Sequence, residues 1–275
     1  MAEELGVWAY AITASRPGPQ GVDDVTGVDH EPVRTIEKAG LVAVVGTVHL
    51  DEFGEEPLRR KLDDLESLAA IARAHHEVVA LSARRAPAVP MRLATVYRDD
   101  ARVAAMLAER HDDLLQALKQ IAGRTEWGVK GYATNAATAA AAEAEAGSAS
   151  HRPGTSYLLR RRAQLSATED ARHQAMVSAQ EIHETLAGLA VAARLHAPQD
   201  PQLTGEAGWM VLNGAYLIDD VAVERFAAEV RALSDRHTAM RLQLTGPWPA
   251  YSFSAIEDAV DDAVDDAVED KDPLA

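Results

Sequence analysis

A chain of 275 residues, 47% of them hydrophobic and 25% charged, has a globular composition and enough material for two ordinary domains. The absence of cysteine excludes disulfides, thiolate nucleophiles and cysteine-based zinc sites, and fits a reducing cytoplasm. A net charge of −16 argues against nucleic acid as a partner, and no apolar run approaches the ~20 residues that span a bilayer.

In chain order, Gly6–Thr13 reads as a first strand of small, β-branched and aromatic residues, followed by a loop rich in proline and glycine over 15–21. Pro32–Lys38 and Leu41–Val48 flank Ala39-Gly40 and predict a hairpin, whose second arm is apolar on both faces and therefore central. Pro57 opens a helix that runs to Pro87, with Leu58, Leu62, Leu65, Ala69, Ala72, His76 and Val79 forming its buried face. Val89–Tyr97 is a strand, and Asp99 or Asp100 caps a helix that reaches Ile121 and closes at Gly123. This order suggests a modified ferredoxin-like α+β domain over residues 1–124, with helices on one face of its sheet.

The second half, residues 125–254, begins with a strand at Trp127–Tyr132. Ala133–Ser150 is nearly all Ala, Thr, Glu and Ser, a solvated helix or connector. From Ser156 to His196 there is no proline and one glycine, which predicts a continuous helix roughly 60 Å long at ~1.5 Å per residue. Ala175, Ala179, Ile182, Leu186, Leu189 and Ala193 step by four and three, a coiled-coil-like seam that asks for a second helix, from this chain or a copy. Trp209–Ile218 reads as one strand in spite of Asn213-Gly214, a helix follows to Arg236, and Met240 starts a last strand. The second domain is thus α+β with a long helical element.

The chain has 4 Trp, 6 Tyr and 3 Phe, and Trp248, Tyr251 and Phe253 fall within six residues just after Gly246-Pro247. Such a cluster predicts a structural anchor that plugs the C-terminal domain, with Trp248 held between prolines. From Glu257 onward there are nine acidic residues and one lysine, half of the net charge. Ile256, Val260, Val264 and Val268 make only a thin apolar stripe there, so residues 255–275 are expected to be a disordered, solvating tail.

Signals for catalysis are weak. There is no glycine-rich phosphate loop, no G-x-S-x-G and no H-E-x-x-H. His75-His76-Glu77 is the best metal candidate, but neighbouring helical residues diverge by about 100°, and a histidine on the buried stripe is more simply bonded to a backbone group. Arg92, between Met91 and Leu93, needs a partner if buried. A small-molecule enzyme using the cleft between the domains, with Arg92 and His76 as its polar groups, and a regulatory scaffold acting through the long helix are the rival readings.

Leu244-Thr-Gly-Pro-Trp-Pro-Ala-Tyr-Ser-Phe253 resembles the C-terminal signature of the gas vesicle protein F/L family. Trp8-Ala-Tyr-Ala-Ile12, Pro90-Met-Arg-Leu-Ala-Thr-Val96, Gly154-Thr-Ser-Tyr-Leu-Leu-Arg160 and Leu212-Asn-Gly-Ala-Tyr-Leu-Ile218 resemble the same family in the same order. The resemblance implies a modified ferredoxin-like domain followed by an α+β domain with a long helix. It implies no cofactor and no reaction, and so not an enzyme. It further implies a minor protein of gas vesicle formation, cytoplasmic and vesicle-associated. Its partners would be the hydrophobic main shell protein and other accessory proteins, with self-association through the long helix also open.

Overall fold

The computed structural model describes residues 4–14, 25–133, 154–198 and 209–254. The 15–21 loop, all but the first residue of the alanine-rich 133–150 stretch and the acidic tail lie outside them. The chain forms two compact units, one comprising the chain up to Thr125 together with the segment from Trp248, the other Glu126–Pro247. The segment from Trp248 therefore groups with the first unit, where the sequence suggested the second.

The first unit is a sheet with the order β2-β3-β1-β4, β5 also pairing with β1. Its strands are β1 (Leu5–Thr13), β2 (Arg34–Lys38), β3 (Leu41–His49), β4 (Ala88–Pro90) and β5 (Val96–Tyr97). Ala39 and Gly40, both at positive φ (53° and 79°), turn β2 into β3 with Lys38 opposite Leu41. This is the geometry a two-residue hairpin of right-handed twist demands. β1 and β3 are the interior strands and are buried along nearly their whole length. A strand whose alternate residues are all buried is covered on both faces. Trp8, Tyr10, Val44 and Val48 face the core built by α3 (Leu65–Arg85), while α4 (Asp100–Glu109) and α5 (His111–Ile121) pack on β2, β3 and β4. Helices thus cover both faces of the sheet, not one as expected.

Three elements expected to be continuous are broken. The helix after Pro57 is two, α2 (Glu55–Asp63) and α3, preceded by a short turn α1 (Leu50–Phe53). Asp64 is extended (φ −87°, ψ 118°) and accepts a hydrogen bond from the Ser67 N–H at 2.8 Å, capping α3. The helix after Asp99 breaks at Arg110, and the 89–97 strand is interrupted by a turn at Arg92–Thr95, where Ala94 has φ 69°.

The second unit is a sheet of order β7-β8-β6-β9, with β6 (Arg124–Ala133), β7 (Ala192–Leu195), β8 (Trp209–Asp219) and β9 (Met240–Trp248). α6 (Gly154–Ala187) and α7 (Val223–Arg236) pack with it around Ile182, Leu186, Tyr216, Phe226 and Val230. β8 is one strand through Asn213-Gly214, as read. The 34-residue α6 is roughly 50 Å long at ~1.5 Å per residue, and stops well short of His196. Ala193, expected in the helical seam, instead sits in edge strand β7, opposite Tyr216. Beyond Gly188 the chain satisfies its backbone by pairing with β8, which a helix there could not do.

Candidate functional site

Among the described residues no group of three His, Asp or Glu side chains is placed to hold a metal ion. Arg92 is exposed, in the turn between β4 and β5. A shallow depression in the first unit is lined by Glu109, His111, Asp112 and Asp113, an acidic rim open to solvent with no nucleophile beside it.

The most distinctive surface joins α3 to the C-terminal segment of the first unit. The His76 ring meets Trp248 edge-on at 5.6 Å between centroids and lies 6.1 Å from Tyr251. Its Nδ1 is 3.3 Å from the Tyr251 hydroxyl. The expected anchor divides here: Phe253 is buried at 8% exposure, whereas Trp248 is 41% and Tyr251 36% exposed. Phe253 plugs the core; Trp248 and Tyr251 face outward. The turn that presents them is held by Tyr251 N–H to the Pro249 carbonyl (2.7 Å) and Phe253 N–H to the Ala250 carbonyl (3.2 Å).

His75, next door on α3, is the buried histidine, at 2% exposure; the sequence pattern had pointed to His76. Asp64 is extended between α2 and α3, and the buried residues of α3 are Ile71, His75, Val78, Val79 and Ser82: Val79 is buried as expected, His75 takes the place of His76, and Leu65 is left in solvent. The Trp8 indole N–H donates to His75 Nδ1 at 3.0 Å, so Nε2 carries the proton and donates to the Met91 carbonyl at 3.2 Å. Both ring nitrogens are used with the imidazole neutral. Burial pushes its pKa down from 6.5 to about 4.

Tyr10, at a bulge of β1 against β3, sits beside His75 with ring centroids 5.4 Å apart. It donates to Glu31 Oε1 at 2.6 Å and accepts from the Val28 N–H at 2.9 Å, while the Asp29 N–H serves Glu31 Oε2 at 2.8 Å. Burial, with the Glu31 carboxylate beside it, pushes the Tyr10 phenol well above its ordinary range. The carboxylate fits because Gly27 and Gly46 leave room; a Cβ on either would overlap Glu31. Nothing in the sequence pattern marked Glu31, whose partners are brought together only by the fold.

In the second unit Ala179, Ile182 and Leu186 of the seam are buried and Leu189, beyond the helix, is half-buried. They pack with Phe226, Val230 and Leu233 of α7 in the same chain. His183 Nδ1 lies 3.0 Å from the Tyr216 hydroxyl. Earlier on α6, Met176 and Val177 are exposed, and Arg172 lies over the exposed Trp209 ring at 5.7 Å.

The family described as gas vesicle synthesis protein GvpL/GvpF matches residues 6–255. The chain belongs to the GvpL/GvpF family. Gas vesicle protein L of Streptomyces sp. (strain CB03234) is 39% identical over 254 residues, covering 91% of this chain and 93% of that one. Gas vesicle protein F of the same strain is 25% identical over 257 residues, covering 90% and 99%. The crystal structure of GvpF from Anabaena sp. PCC7120 superposes with a TM-score of 0.64 at 18% identity, covering 92% of this chain and 97% of its own. GvpF from Microcystis aeruginosa gives 0.60 at 18% identity, covering 90% and 98%. At that identity the two structures establish the α+β fold. The GvpL/GvpF match ends at residue 255, just before the acidic run that starts at Glu257.

Proposed function

We propose that this member of the GvpL/GvpF family is a minor assembly protein of the gas vesicle, cytoplasmic and vesicle-associated. In this reading it binds the small hydrophobic main shell protein and, with other accessory proteins, assists its addition to the shell. The observation that carries the reading is the family match along residues 6–255. No described helix is long and apolar enough to cross a membrane, so a water-exposed carrier is the simpler role. Within this proposal residues 1–124, joined by the segment from Trp248, act as a modified ferredoxin-like domain, the rest of 125–254 as an α+β domain with a coiled-coil-like helix, and 255–275 as a solvating tail. The exposed Met176, Val177 and Trp209 supply apolar surface for the shell subunit. Covering such surface is favourable by ~25 cal/mol per Å² and is little affected by salt. A charged tail would act through forces screened beyond a Debye length of ~8–10 Å.

The test is deletion of the gene, which should abolish or cripple vesicle formation, combined with capture of the purified shell protein. A chain ending at Ser254 should still capture it, in molar salt as well, while the complex becomes less soluble. Loss of capture on removing the tail would transfer recognition to residues 255–275.

A further inference from the structure

We propose that the edge strand β7 of the second unit pairs with β7 of a second copy of this chain, antiparallel about a two-fold axis at Ala193. In the order β7-β8-β6-β9 this strand ends the sheet, and no described strand lies on its outer side. β8 holds it straight. Val191 N–H donates to the Leu217 carbonyl and His196 N–H to that of Asn213, both at 2.8 Å, and Asn213 Nδ2 donates to the Ala197 carbonyl at 3.0 Å. Backbone groups alternate in direction along a strand, so with His196 bonded inward those of Ala193 and Leu195 point away from β8. These two residues lie opposite Tyr216 and Gly214, on the core side of the sheet, and yet both are exposed.

Proteins guard open edges with proline, charge, a bulge or a covering helix. β9, the other edge of this sheet, carries Arg241 and Pro247, and β2 in the first unit is packed by α4. From Val191 to Ala197 there is no proline and one formal charge, Arg194. An edge accepts extended chains in general; what selects a second copy is that this segment matches itself. With the axis at Ala193 the two Ala193 residues exchange backbone hydrogen bonds, and Arg194 lies across from the copy's Ala192. Leu195 and the copy's Val191, 50% and 44% exposed in the single chain, then cover each other on both sides of the axis. An axis one residue on, at Arg194, would set two guanidinium side chains directly opposite at the closer, non-hydrogen-bonded spacing, which is destabilising. The net charge of −16 is not carried by this segment, since Thr185–Pro198 contains no Asp or Glu. One short edge buries less than the ~1,200 Å² of a stable interface, so pairing belongs to hundreds of micromolar and not to the few micromolar of a melting experiment.

The full chain has no cysteine, so single cysteines report the pairing without background. Across the proposed axis the two Ala193 Cα atoms would be ~5.5 Å apart, within disulfide range. Under copper-phenanthroline oxidation of concentrated protein, Ala193→Cys should form covalent dimers about tenfold faster than Gln174→Cys, an exposed position on α6. In mixtures Leu195→Cys should link to Val191→Cys and not to Ala193→Cys. Sedimentation of the native chain should shift from monomer toward dimer as concentration rises, while Leu195→Asp stays monomeric with an unchanged melting temperature. A native chain that remains monomeric at hundreds of micromolar would overturn the proposal. So would equal rates for Ala193→Cys and Gln174→Cys, or a preference of Leu195→Cys for Ala193→Cys, which would put the axis at Arg194.

Discussion

The Trp8 indole donates its proton to Nδ1 of His75 at 3.0 Å, tying the central strand to the longest helix of the first unit. The bond holds only while the imidazole is neutral. In the folded chain the His75 pKa is lowered by burial from 6.5 to about 4. Above pH 6.5 both folded and unfolded chains carry a neutral ring, and no pH dependence arises. Between pH 6.5 and about 4 the unfolded chain takes the proton and the folded chain does not, so stability falls as pH falls. The loss reaches about 3 kcal/mol below that window. Urea unfolding at pH 7, 5.5 and 4.5 should show a steeper acid decline for the native chain than for His75→Gln, which cannot titrate. Parallel declines would refute the assignment.

Glu31 is a carboxylate in a space shaped for it. In Gly46→Ala the new methyl would overlap the carboxylate, forcing it and the Tyr10 hydroxyl apart. The expected loss is ~1–3 kcal/mol. Tyr10→Phe removes the hydroxyl from a buried carboxylate and should cost a similar ~1–3 kcal/mol. In a double-mutant cycle with Glu31→Gln the two losses should not add. Additive losses would mean that the bond contributes nothing of its own.

At the C-terminal turn the burden falls on Phe253. Phe253→Ala should lower the stability of the first unit by ~3–5 kcal/mol, as for other buried aromatic truncations. Trp248→Ala, with its ring 41% exposed, should cost no more than about 1 kcal/mol. Hydrogen exchange localises the effect: Phe253→Ala should loosen the first unit and leave α7 protected. A larger loss from Trp248→Ala than from Phe253→Ala would restore the tryptophan as the anchor.

Leu186 is fully buried against α7, whereas Met176, ten residues earlier on the same helix, is 58% exposed. Leu186→Asp places a charge in that core and should unfold the second unit, a loss of ~3–5 kcal/mol or more. Met176→Asp should leave the melting temperature within about a degree. Because the seam packs within one chain, the Leu186→Asp melt should be independent of protein concentration. A concentration-dependent midpoint would point to a helix supplied by a second copy.

Sequence alone determined most of the elements and their kind, with β7 and the breaks within three elements the exceptions. Alternation and apolar runs located β1, the β2–β3 hairpin, β6, β8 and β9, because a side chain's face in a strand depends only on its parity. The turn was legible from Gly40, whose positive φ suits a residue without a Cβ, while Ala39 takes the same sign against its local preference. The ordered motifs determined the family. What tertiary structure decided were phases and partners. The extended Asp64 between α2 and α3 lets α3 take a phase of its own, so the buried histidine is His75 and not His76. The end of α6 was set by an unpaired edge of β8, a hydrogen-bonding demand that lies outside the helix. Glu31, Tyr10, Gly27 and Gly46 are scattered over three segments, and only sheet register brings a carboxylate, a phenol and two missing side chains to one point. Trp248 and Phe253 are five residues apart and equally apolar. That Phe253 is buried at 8% exposure while Trp248 stays 41% exposed was decided by the fold.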